Sequence, residues 1–181
     1  YANGGMNTDY GKIVLGGGTT NTYSNLEQLF IAPTWAIKKG DHAFGVSLLL
    51  AYQTFEARGL QGFNTHSSDS GNLTDKGKDT STGIGFKLGW TGQISPTVTL
   101  GAAYQPRLNM SKFNKYKGLF AEQGDFDIPE TIGLGLAVKA TPTTTLAFDV
   151  SQIKYGSVKS IANPGTAFPS LAGTLLGNNN G

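Results

Sequence analysis

Apolar residues alternate with polar or small residues along most of the chain, and helical spacing is not sustained in any segment. A period of two indicates β-strands, because successive side chains of a strand point to opposite faces of the sheet. The pattern therefore predicts an all-β, antiparallel fold with six consecutive strands, at about Leu29–Lys38, His42–Glu56, Ser81–Thr91, Val98–Gln105, Pro129–Lys139 and Thr145–Tyr155.

Short and long connections alternate between the predicted strands. Tight turns are expected at 39–41, 92–97 and 141–143, and long polar loops at about 57–80, 106–128 and 156–181. Transmembrane β-barrels of the outer-membrane type have this asymmetry, with short turns at one membrane surface and long loops at the other. A soluble antiparallel meander can also show it, so the two faces of the strands are needed to decide.

The two faces of the predicted strands differ in chemistry. One face of the last five strands is apolar or aromatic at every position, and its twenty residues are Phe44, Val46, Leu48, Leu50, Tyr52, Ile84, Phe86, Leu88, Trp90, Val98, Leu100, Ala102, Tyr104, Ile132, Leu134, Leu136, Val138, Leu146, Phe148 and Val150. The opposite face is mostly Gly, Ala and Ser. A soluble β-sandwich also buries one face, but its other face normally carries longer polar residues that meet water. The pattern therefore favours an antiparallel transmembrane β-barrel, with one face in lipid and the other in a crowded interior.

Composition narrows the class of protein further. The chain has 181 residues, of which 26 are Gly, only 14% are charged and none is Cys. The absence of Cys excludes a disulfide framework, a thiolate metal site and a Cys nucleophile. The net charge of +2 is spread along the chain and does not indicate a nucleic-acid partner. No apolar run approaches the roughly 18 residues of a transmembrane helix.

The sequence contains no pattern that predicts catalysis or a cofactor. The segment His66–Asp69 holds the three residue types of a catalytic triad, but triad partners come together from separate parts of a fold. Gly16–Gly18 is not followed by Lys and a helix, so a phosphate loop is not indicated. His42 and His66 are too few for a zinc site, and no spacing of Asp residues is diagnostic of a hard cation. We therefore expect neither an enzyme, nor a cofactor, nor a metal site.

The predicted number of strands is too small for a closed barrel, since the smallest members of this class have about eight. An open sheet edge in lipid would leave backbone N–H and C=O groups unpaired, at several kcal/mol each. Either further strands lie outside this sequence or several chains close the sheet together. We expect the first, with residues 1–181 forming a single partial barrel domain.

Several blocks of the sequence are similar to one family of outer-membrane transporters. The two most specific are Asn3–Tyr10 (NGGMNTDY) and Leu26–Thr34 (LEQLFIAPT). The others, in chain order, are Ala43–Ser47, Phe55–Leu60, Gly101–Pro106 and Asp127–Glu130. Together they span most of the chain and resemble the FadL family of transporters for long-chain fatty acids and other hydrophobic compounds, including aromatic hydrocarbons.

The resemblance implies a monomeric barrel of about fourteen strands in the bacterial outer membrane, plugged by an N-terminal hatch. This sequence would supply about six consecutive strands of it. The implied function is passive uptake of a hydrophobic small molecule, with long-chain fatty acids expected first and without a cofactor. Membrane lipid or detergent would surround the wall.

Apolar side chains in the long loops are the candidate ligand contacts, since exposed loops have little reason to carry them. The candidates are Leu60, Phe63, Phe113, Tyr116, Leu119, Phe120, Phe168 and Leu171. Arg58 is added because some fatty-acid transporters of the family have a basic residue near this position, and a guanidinium can bind a carboxylate. The alternatives are packing of the loops onto the barrel rim and, for Arg58, a solvated charge. Lys87 and Asp149, both on the small-residue face, are expected to pair with each other or with a plug.

Three other functions remain open at this point. An outer-membrane lipid hydrolase would need Ser and His together at the membrane-facing rim, and neither His is predicted there. A water-filled, porin-like channel predicts an interior rich in charged residues, whereas this face has chiefly Gly and Ala. A soluble β-sandwich adhesin would stay in the aqueous phase without detergent.

Overall fold

The computed structural model describes residues 2–15 and 17–162, which form one antiparallel β-sheet with its connections. The strands are β1 Ala2–Asp9, β2 Tyr23–Ile31, β3 Thr34–Lys39, β4 His42–Arg58, β5 Asp79–Ser95, β6 Val98–Gln105, β7 Thr131–Thr141 and β8 Thr144–Ile153. The sheet order is β1-β2-β4-β5-β6-β7-β8, with β3 also paired to β4, and the sheet curls into a half-barrel. Short 3₁₀ helices cover Gln61–His66, Ser70–Asn72, Asn114–Tyr116 and Tyr155–Ser157, and four-residue turns of helix cover Ala121–Gly124 and Lys159–Ala162. None of the helices in these ranges is both long and apolar enough to cross a membrane.

β2 and β3 both pair with β4 and keep one register across the gap between them. Pro33 interrupts the pairing because it has no N–H to donate, yet its carbonyl accepts from the Leu48 N–H at 3.0 Å. The alternation of apolar and polar residues predicts a single strand over Leu29–Lys38, and that extent is wrong. The structure has two strands on one line, from Tyr23 to Lys39.

β1 is a strand that the alternation does not predict. Its sequence, ANGGMNTD, is rich in Asn and Gly, which have low β-propensity. Pairing with β2, with a bulge between Asn3 and Met6, holds it in the sheet. With β1 and the division of β2 from β3, the described residues contain eight strands where about six were predicted.

β5 continues through Gly92, where a turn was predicted. A Cβ on Gly92 would lie 2.5 Å from Cζ2 of Trp90 and 2.6 Å from Nδ1 of His42. Glycine therefore leaves room for these two rings, whose centres are 5.8 Å apart in a stacked arrangement.

The connections give the sheet two different ends. Two-residue turns at 40–41, 96–97 and 142–143 join β3 to β4, β5 to β6 and β7 to β8, and they define the short-turn end. The connections at 10–22, 59–78 and 106–130 start from the opposite end, which we call the long-connection end.

Large apolar side chains are exposed on one face of the sheet, which we call the outer face. Fifteen of the twenty positions predicted as one apolar face are exposed, up to 71% for Ile84. Trp35 and Ile37 of β3 extend this face, because they pair with Val46 and Phe44. Such a surface suits lipid rather than water. The predicted antiparallel barrel fold is confirmed.

The 106–130 connection folds back over the other face, the inner face. A buried cluster joins the two and consists of Leu108, Met110 and Ile128 from the connection and Phe30, Leu49 and Ala51 from the sheet. A Cβ on Gly83 would collide with the Met110 sulfur and would lie 2.8 Å from the Asn109 carbonyl oxygen. Small residues on the inner face of β5 therefore make room for the connection.

Candidate functional site

The inner face carries a line of polar side chains, which we call the polar row. Thr34, Ser47 and Lys87 are register partners on β3, β4 and β5. Gln105 and Thr131 are register partners on β6 and β7 and border the same cavity as Lys87. The hydroxyls of Thr34 and Ser47 share a hydrogen bond of 2.8 Å. Donors and acceptors are therefore available along this row for the polar part of a ligand.

Beside the polar row, toward the short-turn end, the wall is almost without side chains. This bare row consists of register partners on five neighbouring strands, namely Ala36, Gly45, Gly89, Ala103 and Gly133. A Cβ added at Gly89 would meet no atom within 4 Å. The bare row therefore leaves space along the interior, next to the polar groups.

Two cavities are bordered by Lys87 of the polar row. The larger, of about 760 Å³, is bordered by Lys87 and by apolar side chains that include Phe30, Phe126 and Ile153. The smaller, of about 310 Å³, is bordered by Lys87 and Leu49 among others. Ligand cavities commonly measure about 300–1,000 Å³ and combine an apolar lining with a few polar groups. Both spaces fit that description, and Lys87 borders both.

Four of the predicted ligand contacts come together in one aromatic cluster over the inner face: Phe113, Tyr116, Leu119 and Phe120. At its centre lies Phe55 of β4, whose ring is 4.8 Å from the Tyr116 ring and 4.7 Å from the Phe120 ring. Phe126 extends the cluster, with its ring 5.0 Å from that of Phe120. Phe55 is not among the contacts predicted from the sequence, although its place on the inner face of β4 indicates it.

Tyr116 fixes the aromatic cluster to the sheet. Its hydroxyl donates to the Gly77 carbonyl at 2.8 Å and accepts from the Ala57 N–H at 3.0 Å. Burial raises the pKa of the Tyr116 hydroxyl, because the ionised form would lose its hydration. Tyr116 and Phe113 are fully buried, so the surface open to a ligand comes from the partly buried Leu119 and Phe120.

The remaining predicted contacts have different surroundings. Leu60 packs against the aromatic cluster. Phe63 lies in the 3₁₀ helix Gln61–His66 and is 39% exposed. Phe168 and Leu171 lie outside the described residues.

Arg58 ends β4 on the side opposite the aromatic cluster, because it follows the buried inner-face residue Ala57. Its guanidinium carbon lies 4.1 Å from the centre of the Tyr23 ring, and Nε lies 3.5 Å from a Glu56 carboxylate oxygen. These contacts hold the guanidinium at the rim rather than over the inner face.

Arg107 ties the 106–130 connection to the segment after β8. Its Nε and Nη2 both lie 2.7 Å from Oδ2 of Asp127, and Nη1 donates to the Ser157 carbonyl. Asp127 is 3% exposed and also accepts from the Met110 N–H at 2.6 Å. Burial, and then the neighbouring Asp127 carboxylate, raises the pKa of Asp125, which lies 3.5 Å from Nη2. The Arg107–Asp127 pair therefore fixes the connection over the inner face.

Asp75 joins the first two long connections. Its carboxylate accepts from the Thr20 hydroxyl at 2.6 Å and from Gln61 Nε2 and the Thr74 hydroxyl at 2.7 Å each. Burial alone would raise the pKa of Asp75, but hydrogen bonds from Thr20, Thr74 and the Gly59 N–H bring it below its ordinary value. The ionised form is therefore the one that holds these connections together.

Lys87 and Asp149 do not pair with each other. Asp149 is in register, through Gly135 and Gly101, with Thr91, which lies four residues from Lys87 along β5. Among the described residues neither has an ion-pair partner within 4.0 Å. Within the same ranges no three His, Asp or Glu residues are placed to hold a metal ion.

Comparison with known proteins found matches among solved structures, whereas no family model and no curated protein matches the chain. The TodX deltaS2S3 mutant, described as a monoaromatic hydrocarbon channel, matches with a TM-score of 0.63 and 17% identity over 85% of this chain and 49% of that one. The toluene transporter TbuX of Ralstonia pickettii matches with a TM-score of 0.61 and 18% identity over 88% of this chain and 51% of that one. The toluene transporter TodX of Pseudomonas putida matches with a TM-score of 0.59 and 16% identity over 86% of this chain and 50% of that one.

The chain spans about half the length of these solved structures. At such identities the likeness shows the fold, and it agrees with the family resemblance of the sequence blocks. This chain therefore has the fold of about half of a FadL-type hydrocarbon transporter barrel.

Proposed function

We propose that the complete protein is a monomeric, passive channel in the bacterial outer membrane for the uptake of hydrophobic small molecules. One observation carries the proposal: an apolar outer face lies opposite an inner wall of small residues that an aromatic connection covers. A porin-like channel would instead have a polar, water-filled interior. The fold shared with toluene transporters supports the same class of ligand.

A ligand path follows from the positions of the apolar groups. Leu119 and Phe120 offer partly exposed apolar surface at the aromatic cluster. Phe126 belongs to this cluster and also borders the 760 Å³ cavity, so it connects the two. From the cavity the bare row leads toward the short-turn end. Burial of alkyl or aromatic surface would drive binding, at about 0.8 kcal/mol per CH₂.

Uptake by whole cells tests the proposal. Cells that express the complete protein should take up labelled toluene faster than cells without it, while uptake of sucrose should be unchanged. Phe126→Ser should slow toluene uptake, whereas Phe63→Ser, at an exposed ring apart from the cavity, should not. Faster sucrose entry without faster toluene entry would contradict the proposal and favour a porin-like channel.

Long-chain fatty acids are a second ligand class, and Lys87 is the observation that favours them. Lys87 borders both cavities and has no acidic partner within 4.0 Å among the described residues. A fatty-acid carboxylate could supply that partner while the alkyl chain lies along apolar side chains. We expect Lys87→Gln to slow oleate uptake and leave toluene uptake unchanged. Equal loss of both would show that Lys87 supports the wall instead.

A further inference from the structure

The outer face has an apolar groove of about 660 Å³ behind the bare row. Its walls include Trp35, Phe44, Trp90 and Tyr104. The groove exists because Ala102 is small, while its register partners Trp90 and Leu134 are large. The large side chains of its lining lie on the face that we place in lipid, so a chain from the bilayer could fill it.

The groove ends near a basic group at the short-turn end. Lys39 and His42 are register partners, and both are exposed. The His42 ring stacks on Trp90 with the two planes 19° apart. Lys39 lies two residues beyond Ile37 of the groove wall, about 7 Å along the strand at ~3.3 Å per residue. An aromatic wall thus leads directly to a cationic group.

The net charge around the short turns is positive. Within the described residues, the charged side chains in the three turns and the residues that flank them are Lys38, Lys39, Lys139 and Asp41. Basic side chains next to a membrane surface attract anionic lipid headgroups, and aromatic side chains prefer the headgroup level. The charge therefore selects an anionic lipid over a neutral hydrocarbon at this end of the groove.

We propose that this groove binds one anionic phospholipid, with an acyl chain against Ala102 and the phosphate at Lys39 and His42. The proposal rests on the proposed place in the membrane and does not depend on which compound is taken up. It assigns the site to the outside of the wall, separate from the cavities of the inner face.

Native mass spectrometry of the complete protein in detergent tests the site. Phosphatidylglycerol should remain bound in preference to phosphatidylethanolamine. Lys39→Gln should weaken phosphatidylglycerol binding about fivefold, because one basic side chain contributes on the order of 1 kcal/mol to binding an anionic lipid. Ala102→Leu should fill the groove and weaken binding of both lipids. Lys76→Gln, an exposed lysine at the long-connection end, is the matched control and should change neither.

Equal binding of the two lipids, or unchanged binding in Ala102→Leu, would overturn the proposal. A dimer without bound lipid would overturn it too, because a second copy of the chain would then occupy the groove. Toluene uptake by the same variants separates this site from the proposed function. Lys39→Gln and Ala102→Leu should both transport normally, since neither Lys39 nor Ala102 borders the 760 Å³ or the 310 Å³ cavity. If the wild type binds the lipid but does not take up toluene, the proposed channel function is wrong and the proposed lipid site still stands.

Discussion

At the scale of single residues, Gly83 shows how the sheet accommodates the 106–130 connection. Its missing side chain leaves room for Met110 and for the Asn109 carbonyl, and the second of these is backbone that cannot rotate away. We predict that Gly83→Ala lowers the free energy of unfolding by about 1–3 kcal/mol, in the range of overpacked cores. Urea unfolding of the complete protein in lipid vesicles measures it.

The matched control is Gly89→Ala, in the same strand and on the same face. A Cβ there meets no atom within 4 Å, so stability should change by less than about 0.5 kcal/mol. Equal destabilisation by both substitutions would mean that glycine matters to β5 for backbone reasons alone.

Asp75 makes the joined connections sensitive to acid. Its pKa in the folded protein lies below the ordinary value of 3.8. The ionised carboxylate therefore stabilises the fold at pH values above 3.8, and this contribution is lost as the pH falls through the folded pKa. We predict that acid-stable proteases cut residues 59–78 faster as the pH is lowered through that range.

Asp75→Asn should remove the pH dependence of cleavage while keeping the backbone conformation. Asn tolerates the positive φ of 58° found at this position. Asp41→Asn, in a short turn, should leave the pH dependence as in the wild type. A pH profile of cleavage that is identical in wild type and Asp75→Asn would contradict the role of Asp75.

At the scale of elements, the 106–130 connection depends on Arg107. Removing the guanidinium would leave Asp127 buried with only the Met110 N–H as a partner. We predict that Arg107→Ala destabilises the connection by about 3 kcal/mol, the lower end for a buried ion pair because Arg107 is 35% exposed. Faster proteolysis within 106–130 in Arg107→Ala than in the wild type should reveal this destabilisation.

Arg107→Lys is the informative companion. It keeps the positive charge but cannot donate from two nitrogens to one carboxylate, so its cleavage rate should lie between those of wild type and Arg107→Ala. A lysine variant as labile as the alanine variant would show that geometry, rather than charge, holds the connection.

The sequence predicted the strands whose two faces differ and failed where they do not. β4 to β8 alternate between large apolar and small residues, so the sequence shows both the period of two and which residues lie on the outer face. β1 has no such contrast, and pairing with β2 holds it in place. The break at Pro33 was also hidden, because apolar residues continue on both sides of it.

The site was harder to predict than the fold. Sequence composition picked out Phe113, Tyr116, Leu119 and Phe120 as apolar residues in a loop, and the structure brings them together. That the loop turns inward depends on contacts far apart in sequence, such as Met110 against Gly83. The expected Lys87–Asp149 pair failed for the same reason, because the strand register was unknown.

At the scale of the whole molecule, the described sheet has two lateral edges. β1 pairs only with β2, and β8 only with β7, among the described residues. An unpaired edge in lipid costs several kcal/mol for each backbone group. We predict that residues 1–181 alone, refolded in detergent, form oligomers rather than a compact monomer. Size-exclusion chromatography and heat-dependent gel mobility measure this, and a stable monomer would contradict it.

The outer groove also determines what intrinsic tryptophan fluorescence can measure in this protein. The chain has two Trp residues, and Trp35 and Trp90 both line that groove. With the outer face in lipid, as we propose, intrinsic fluorescence from this chain should respond to the bilayer, and brominated lipids should quench it strongly. A compound in the interior would leave the emission nearly unchanged, so ligand entry needs a probe placed elsewhere, for example a tryptophan substituted at Phe126.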